Sequence, residues 1–112
     1  MTILDTSIVI KLVKKKEVID DDITIVTLAE FPQILKYKRF HGNVIYPTKA
    51  DLDLTVELQQ RLIRLGKPKS FPDLLIAAIC ISREEELVTV DTDFKDIIKV
   101  SRLKAKISDK SS

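Results

Sequence analysis

Four acidic residues adjoin the most apolar stretches of this chain. Asp5 follows Thr2-Ile3-Leu4, Glu30 comes after Ile23-Thr24-Ile25-Val26, Asp73 precedes Leu74-Leu75-Ile76, and Asp91 follows Leu87-Val88-Thr89-Val90. Burying an unpaired carboxylate costs several kcal/mol. Four of them at the ends of core-forming runs therefore imply a shared partner that offsets the desolvation. A hard divalent cation fits, because Mg2+ and Mn2+ take oxygen ligands. Such an ion activates a water and neutralises charge on a phosphodiester under attack. Without it, crowded carboxylates raise one another's pKa.

The elements that must position these acids follow from the hydrophobic pattern. Residues 2–5 read as a short buried strand. Ser7 then caps a helix that carries Ile8, Val9, Leu12 and Val13 inward and fades into Lys14-Lys15-Lys16, a charge run suited to a helix C-terminus. Asp20-Asp21-Asp22 reads as a solvated turn without the spacing of a metal loop. Residues 23–26 form a second strand, and Thr27-Leu28-Ala29-Glu30 opens a helix running to Phe40, with Pro32 near its start. His41-Gly42-Asn43 breaks the chain. Residues 49–65 make the clearest helix, with Leu54, Leu58, Leu62 and Leu65 on one face and Gly66 at its end. Ser70 opens an apolar helix through Arg83, Glu84-Glu85-Glu86 is a surface patch, and residues 87–90 form a third buried strand. A helix through Lys99 and an edge strand within 100–107 follow. One domain thus spans 1–107, with a disordered tail at 108–112.

Short apolar strands alternating with helices predict an α/β fold, with a central mainly parallel sheet flanked by helices. Such sheets bind ligands outside the carboxyl ends of their strands, where all four acids can converge. Two of them have a competing duty. Thr27-x-x-Glu30 and Ser70-x-x-Asp73 both match the capping box, in which the acid satisfies helix N-terminal amides. Asp5 and Asp91 show no comparable alternative.

Composition narrows the function classes. At 112 residues the chain holds one core, and 45% hydrophobic with 32% charged residues describes a globular protein, not a disordered one. Nineteen Lys+Arg against seventeen Asp+Glu leave a net charge of +2, so any nucleic-acid binding must come from local clusters. Two clusters qualify: Arg61, Arg64, Lys67 and Lys69 ahead of Asp73, and Lys36, Lys38 and Arg39 beyond Glu30. Tyr37 and Phe40 are stacking candidates, with core packing the stronger reading for Phe40. Cys80 is alone in an apolar run, which excludes an internal disulfide and a cysteine-based zinc site and points to a buried thiol. His41 is the only histidine, so neither a catalytic triad nor a histidine-rich metal site can be built. No basic and apolar leader opens the chain, and no apolar run approaches the ~18 residues of a membrane span. A cytoplasmic protein with no membrane partner is expected.

Taken in order, Ile3-Leu4-Asp5-Thr6-Ser7, Thr27-Leu28-Ala29-Glu30, Asp73-Leu74-Leu75-Ile76-Ala77-Ala78 and Leu87-Val88-Thr89-Val90-Asp91-Thr92-Asp93-Phe94 span residues 1–100. Together they resemble the PIN-domain ribonucleases, particularly the VapC-type toxins of prokaryotic toxin–antitoxin pairs. The resemblance implies a PIN-like three-layer fold and an Mg2+- or Mn2+-dependent endoribonuclease acting on RNA, usually as a homodimer and silenced by a cognate antitoxin. It casts Asp5, Glu30, Asp73 and Asp91 as catalytic, metal-binding acids. Thr6 or Ser7 matches the small polar residue beside the first acid, and Thr89 the hydroxyl lining the site. Asp93 matches a further acid, which caps the last helix or binds metal through water. The intervals between Asp5 and Glu30 and between Glu30 and Asp73 are shorter than the family's. Those intervals commonly build the dimer face and the antitoxin groove.

Other readings compete. A housekeeping RNA-processing PIN nuclease and a non-catalytic PIN-like binding module share the motifs. Leu4-Asp5-Thr6-Ser7 is similar to the aspartic-protease turn, but that fold is all-β, against the helix at 49–65. Asp91-Thr92-Asp93 is similar to the acids of haloacid-dehalogenase-type phosphatases. Those follow the first strand, whereas these lie near the end of the chain.

Overall fold

A computed structural model describes residues 2–108; apart from Ser108, the expected tail lies outside the described residues. The elements are β1 (Thr2–Leu4), α1 (Thr6–Lys14), β2 (Ile23–Thr24), α2 (Ile25–Glu30), a 3-10 turn (Pro32–Lys36), β3 (Val44–Ile45), α3 (Lys49–Arg64), α4 (Phe71–Arg83), β4 (Glu86–Thr89), α5 (Phe94–Val100) and β5 (Ala105–Ile107). Strand β4 pairs in parallel with β1 on one side and β5 on the other, and β2 pairs in parallel with β3. A parallel bridge between Ile3 and Asp22 joins the two sets. There Leu4 N–H donates to the Asp22 carbonyl (2.9 Å) and Asp22 N–H to that of Thr2 (3.2 Å). The architecture is the α/β one expected: a central parallel sheet flanked by helices.

The three layers arise from the two-residue period of the strands. Ile3 and Leu87 project into one core with α3, α4 and α5, while Leu4 and Val88 project into another with Ile8 and Val9 of α1. Helix α4 carries the first core. Leu74 to Cys80 are all buried, as a helix apolar on every face requires. Burial pushes the Cys80 thiol up to about 12, so it remains protonated and packs as a small apolar group. Among the described residues no helix is long and apolar enough to cross a membrane.

The second strand is shorter than expected. Thr24 ends it by accepting the Val26 N–H (3.2 Å), so α2 begins at Ile25. That helix stops at Glu30 rather than continuing to Phe40. Pro32 has no N–H to donate into an α-helical ladder, and only the 3-10 turn follows. Strand β3, two residues long, has no counterpart in the sequence reading. On α3 the buried stripe is Asp51, Thr55, Leu58 and Leu62, whereas Leu65 is half exposed. Its two polar members bond locally: one oxygen of Asp51 closes a capping box with Thr48, and the Thr55 hydroxyl donates to the Leu52 carbonyl. Asp22 is not solvated. Only 2% exposed, it accepts from the backbone (2.9 Å) and side-chain (3.3 Å) amides of Asn43. Gly42 permits this crossing, because a Cβ there would lie 1.9 Å from the Asp21 carbonyl oxygen.

Candidate metal centre

Strands β1 and β4 end side by side, with Asp5 N–H donating to the Val88 carbonyl (2.9 Å). The chain turns into α1 at once, and Asp5 is its N-cap: Oδ1 accepts from Thr6 N–H (2.9 Å). The cap is therefore Asp5 and not Ser7, a duty the sequence did not assign to it. Its other oxygen accepts from the Thr89 hydroxyl at 2.6 Å. That hydroxyl oxygen accepts from Asp91 N–H (3.0 Å), and Asp91 Oδ1 accepts from Asp93 N–H (2.8 Å). Thr89, with none of its surface exposed, thus ties the first acid to the last two.

Glu30 is held by α1. Thr6 Oγ1 donates to Glu30 Oε1 at 2.6 Å and lies 2.9 Å from Thr27 Oγ1. Thr6 has one hydroxyl proton and gives it to Glu30, so the buried Thr27 hydroxyl must donate to Thr6. Thr27 was visible in the sequence only as a capping candidate. Neither expected capping box forms. Glu30 ends α2 instead of starting a helix, and the Ser70 side chain makes no cap bond at α4. Asp73 does lie in the first turn of α4, as expected.

Asp5, Thr6, Ser7, Glu30, Asp73 and Asp91 line one open cleft of 550 Å3, walled also by Ile10 and Val90. One carboxylate oxygen from each of Asp73, Asp91 and Asp93 lies within 4.8 Å of the other two. Asp5 and Glu30 share the cleft but stand outside that triplet. Burial, then the charges of Asp91, Asp5 and Asp93, pushes Asp73 up to about 6, with the Ser70 hydroxyl opposing the rise. Burial also raises Asp5. The bonds from Thr89 and Thr6 counter it, and the charges of Asp91 and Glu30 add to it. The charged groups acting on both are other carboxylates.

The donor set fits Mg2+ or Mn2+. It consists of hard oxygens only, and ligands about 2.1 Å from one Mg2+ sit within about 4.2 Å of each other, slightly closer than the triplet.

The basic clusters divide. Arg61 donates to the Val100 carbonyl (2.8 Å) and pairs with Glu57. Lys69 Nζ is 2.8 Å from Asp96 and 3.7 Å from Asp93, while Gln59 brackets its backbone. Both residues fasten the loop and helices behind Asp73. Arg39 donates to the Lys16 carbonyl, and the Tyr37 hydroxyl to that of Glu17. Phe40 packs against the second core. Arg64, Lys67, Lys36 and Lys38 are exposed.

No protein-family model and no curated protein matches the sequence. Solved structures do. A chain of VapBC-5 from Mycobacterium tuberculosis, a member of the VapBC family of toxin–antitoxin systems, superposes with a TM-score of 0.74 at 21% identity, covering 96% of this chain and 98% of that one. A chain of DNA-bound VapBC from Salmonella typhimurium gives 0.72 at 18% identity, with coverage of 95% and 96%. A chain of VapBC2 from Rickettsia felis, bound to a DNA fragment from the promoter, gives 0.69 at 21%, with coverage of 95% and 97%. The chain has the PIN-like fold of these structures over nearly its whole length.

Proposed function

We propose that this chain is a metal-dependent endoribonuclease of the VapC type, the toxin of a toxin–antitoxin pair. One observation carries the reading: carboxylates from distant segments share a cleft at the strand ends, and the charges acting on Asp5 and Asp73 there are those of other carboxylates. The fold shared with VapBC chains supports it.

In this reading Asp73, Asp91 and Asp93 hold Mg2+ or Mn2+, with Asp5 and Glu30 completing the site. The bound ion supplies an activated water and charge neutralisation at the scissile phosphate. Thr89 fixes the Asp5 carboxylate and the Asp91 backbone, so those acids lose little freedom when the site is used. Glu30, aimed by Thr6, would take a proton from the attacking water as its oxygen bonds to phosphorus, while the ribose oxygen leaves with the electrons of the broken P–O bond and gains a proton from solvent. Arg64, Lys67, Lys36 and Lys38 contact the RNA backbone, while Arg61 and Lys69 hold the scaffold behind it.

The antitoxin presents an Arg or Lys to the acids and so replaces the cation's charge. A second copy of the chain covers the exposed apolar residues of α3 and α4, where Val56, Ile63 and Phe71 line a groove of 360 Å3.

The test is a Mn2+ titration with RNA cleavage as the readout, wild type beside Asp5→Asn. Cleavage should require the ion, stop in EDTA and fall by at least about 100-fold in the variant. Full activity in EDTA, or in Asp5→Asn, rejects the mechanism.

A further inference from the structure

Helix α1 leads away from the acid cleft, and a second groove of 360 Å3 runs along it, lined by Ser7, Ile10, Lys11, Lys14 and Lys15. Ser7 and Ile10 belong to both depressions, so the two adjoin. One is acidic and suited to a cation; its neighbour is basic and suited to an anion. We propose that this groove is a binding track for the phosphodiester backbone of single-stranded RNA, carrying the strand beside the cleavage site. The proposal rests on the nuclease reading for the identity of the polyanion.

Three features argue for it. Lys14 and Lys15 stand one turn beyond Lys11, which stands one turn beyond Ser7, so polar groups recur about every 5.4 Å along the groove. Both terminal lysines are exposed, and among the described residues no carboxylate forms a salt bridge with either. At the junction of the two grooves the Ser7 hydroxyl oxygen is buried without a hydrogen-bond partner. An unsatisfied buried hydroxyl is costly, and a turn about χ1 that brings it to the groove surface would let a phosphate oxygen across the junction accept its proton. A helix C-terminus alone explains a preference for lysine there. It explains neither the groove's place beside the acids nor the orphan hydroxyl.

A short fluorescent oligouridylate serves as the probe, titrated at several salt concentrations in Mn2+ against Asp5→Asn protein, so that the strand stays intact. Lys14→Gln/Lys15→Gln is added to that background. Arg102→Gln/Lys104→Gln, a charge-matched pair lining a separate cavity with Cys80, is the control. The slope of log K against log salt should become shallower by about 1.4 in the α1 pair, at about 0.7 for each phosphate contact on a single strand. The control should move it much less. An equal change in both pairs, or none in the α1 pair, overturns the track. So does a result in which the α1 pair loses binding of an acidic peptide but keeps that of the RNA. Cleavage by otherwise wild-type protein judges the nuclease reading separately. RNA binding lost in the α1 pair, in a protein that cleaves nothing, would leave the groove standing and remove the enzyme.

Discussion

Asp22 and Asp51 are buried more completely than Asp5, at 2% and 4% exposure against 8%, yet their surroundings differ in kind. Asp22 accepts two amide protons from Asn43 and pins the segment before β3 against the sheet. Asp51 accepts the Thr48 N–H and closes the cap of α3, although its second oxygen has no partner. Asp5 also accepts two hydrogen bonds, but its charged neighbours are Asp91 and Glu30, and its pKa rises. Burial therefore does not separate structural acids from candidate functional ones. The neighbours do: Asp22 has its chain neighbour Asp21 close by but is held by two amides of Asn43, whereas Asp5 faces carboxylates brought to it from distant segments. The first arrangement is complete as it stands. The second gains stability only when positive charge arrives.

The largest effect expected from this contrast is on melting temperature. Asp22→Ala strips both Asn43 amides of their acceptor in a buried place, a loss of about 2 kcal/mol. For a domain of this size that lowers Tm by roughly 10 °C. Asp5→Asn keeps the shape and the cap, since Asn caps as well as Asp, and removes a repelled charge. In metal-free buffer its Tm should match or exceed that of wild type. Calorimetry on the two variants decides the matter. A fall in Asp5→Asn as deep as that in Asp22→Ala would make Asp5 a structural residue like Asp22.

The same contrast explains what was legible in the sequence. Acids beside apolar runs stood out because their cost is local, and the structure brings Asp5, Glu30, Asp73 and Asp91 to one cleft. The parallel sheet was legible for the same reason, its strands being short apolar runs between helical periods. Asp22 was hidden in a run of three aspartates, where composition says solvent; its partner Asn43 lies twenty-one residues away. Asp51 is marked only by Thr48 three residues before it, a capping signature at the start of α3. Strand β3 is two residues long, too short for any period to show. The second duty of Asp5, capping α1, is masked by Ser7, an equally good capping residue two positions further on. Thr27 was invisible as a proton donor because the pairing that uses it links α1 to α2.

Acid titration sharpens the comparison. Asp73 sits near 6 in the folded chain against an ordinary 3.8. A carboxyl raised on folding contributes stability that is fully present below the ordinary value and lost as pH climbs through the folded one. Asp96 has the opposite sign: Lys69 beside it holds its carboxyl low, so its contribution is present at neutral pH and lost in acid. The useful readout is therefore a difference. In metal-free buffer Asp73→Asn should gain a few degrees of Tm relative to wild type at about pH 7.5, and the gain should vanish by about pH 4. Mn2+ should stabilise wild type more at the higher pH, since protons compete for the same oxygens. A gain in the variant that persists unchanged into acid would mean that the crowding of carboxylates is not its source.

The smallest effect is expected where the two kinds of acid environment meet, at Thr89. Its hydroxyl serves Asp5 as a structural partner would, by donating a proton, yet it also accepts from the Asp91 backbone and so sets the spacing between two members of the cluster. Thr89→Val keeps the volume of a fully buried side chain and removes only the hydroxyl. Both of its hydrogen bonds are lost, but the half-buried Asp91 N–H can turn to water, so the net cost is about 1 kcal/mol and the variant should fold with a Tm a few degrees lower. If positioning is what the hydroxyl supplies, Mn2+ affinity and RNA cleavage should drop about tenfold, and Thr89→Ser should restore both. A purely structural role predicts another pattern: Tm falls, while Mn2+ affinity and cleavage per folded molecule stay at the wild-type level. Measuring all three quantities on the Val and Ser variants separates the two, because only a hydroxyl that aims carboxylates can change metal affinity more than stability.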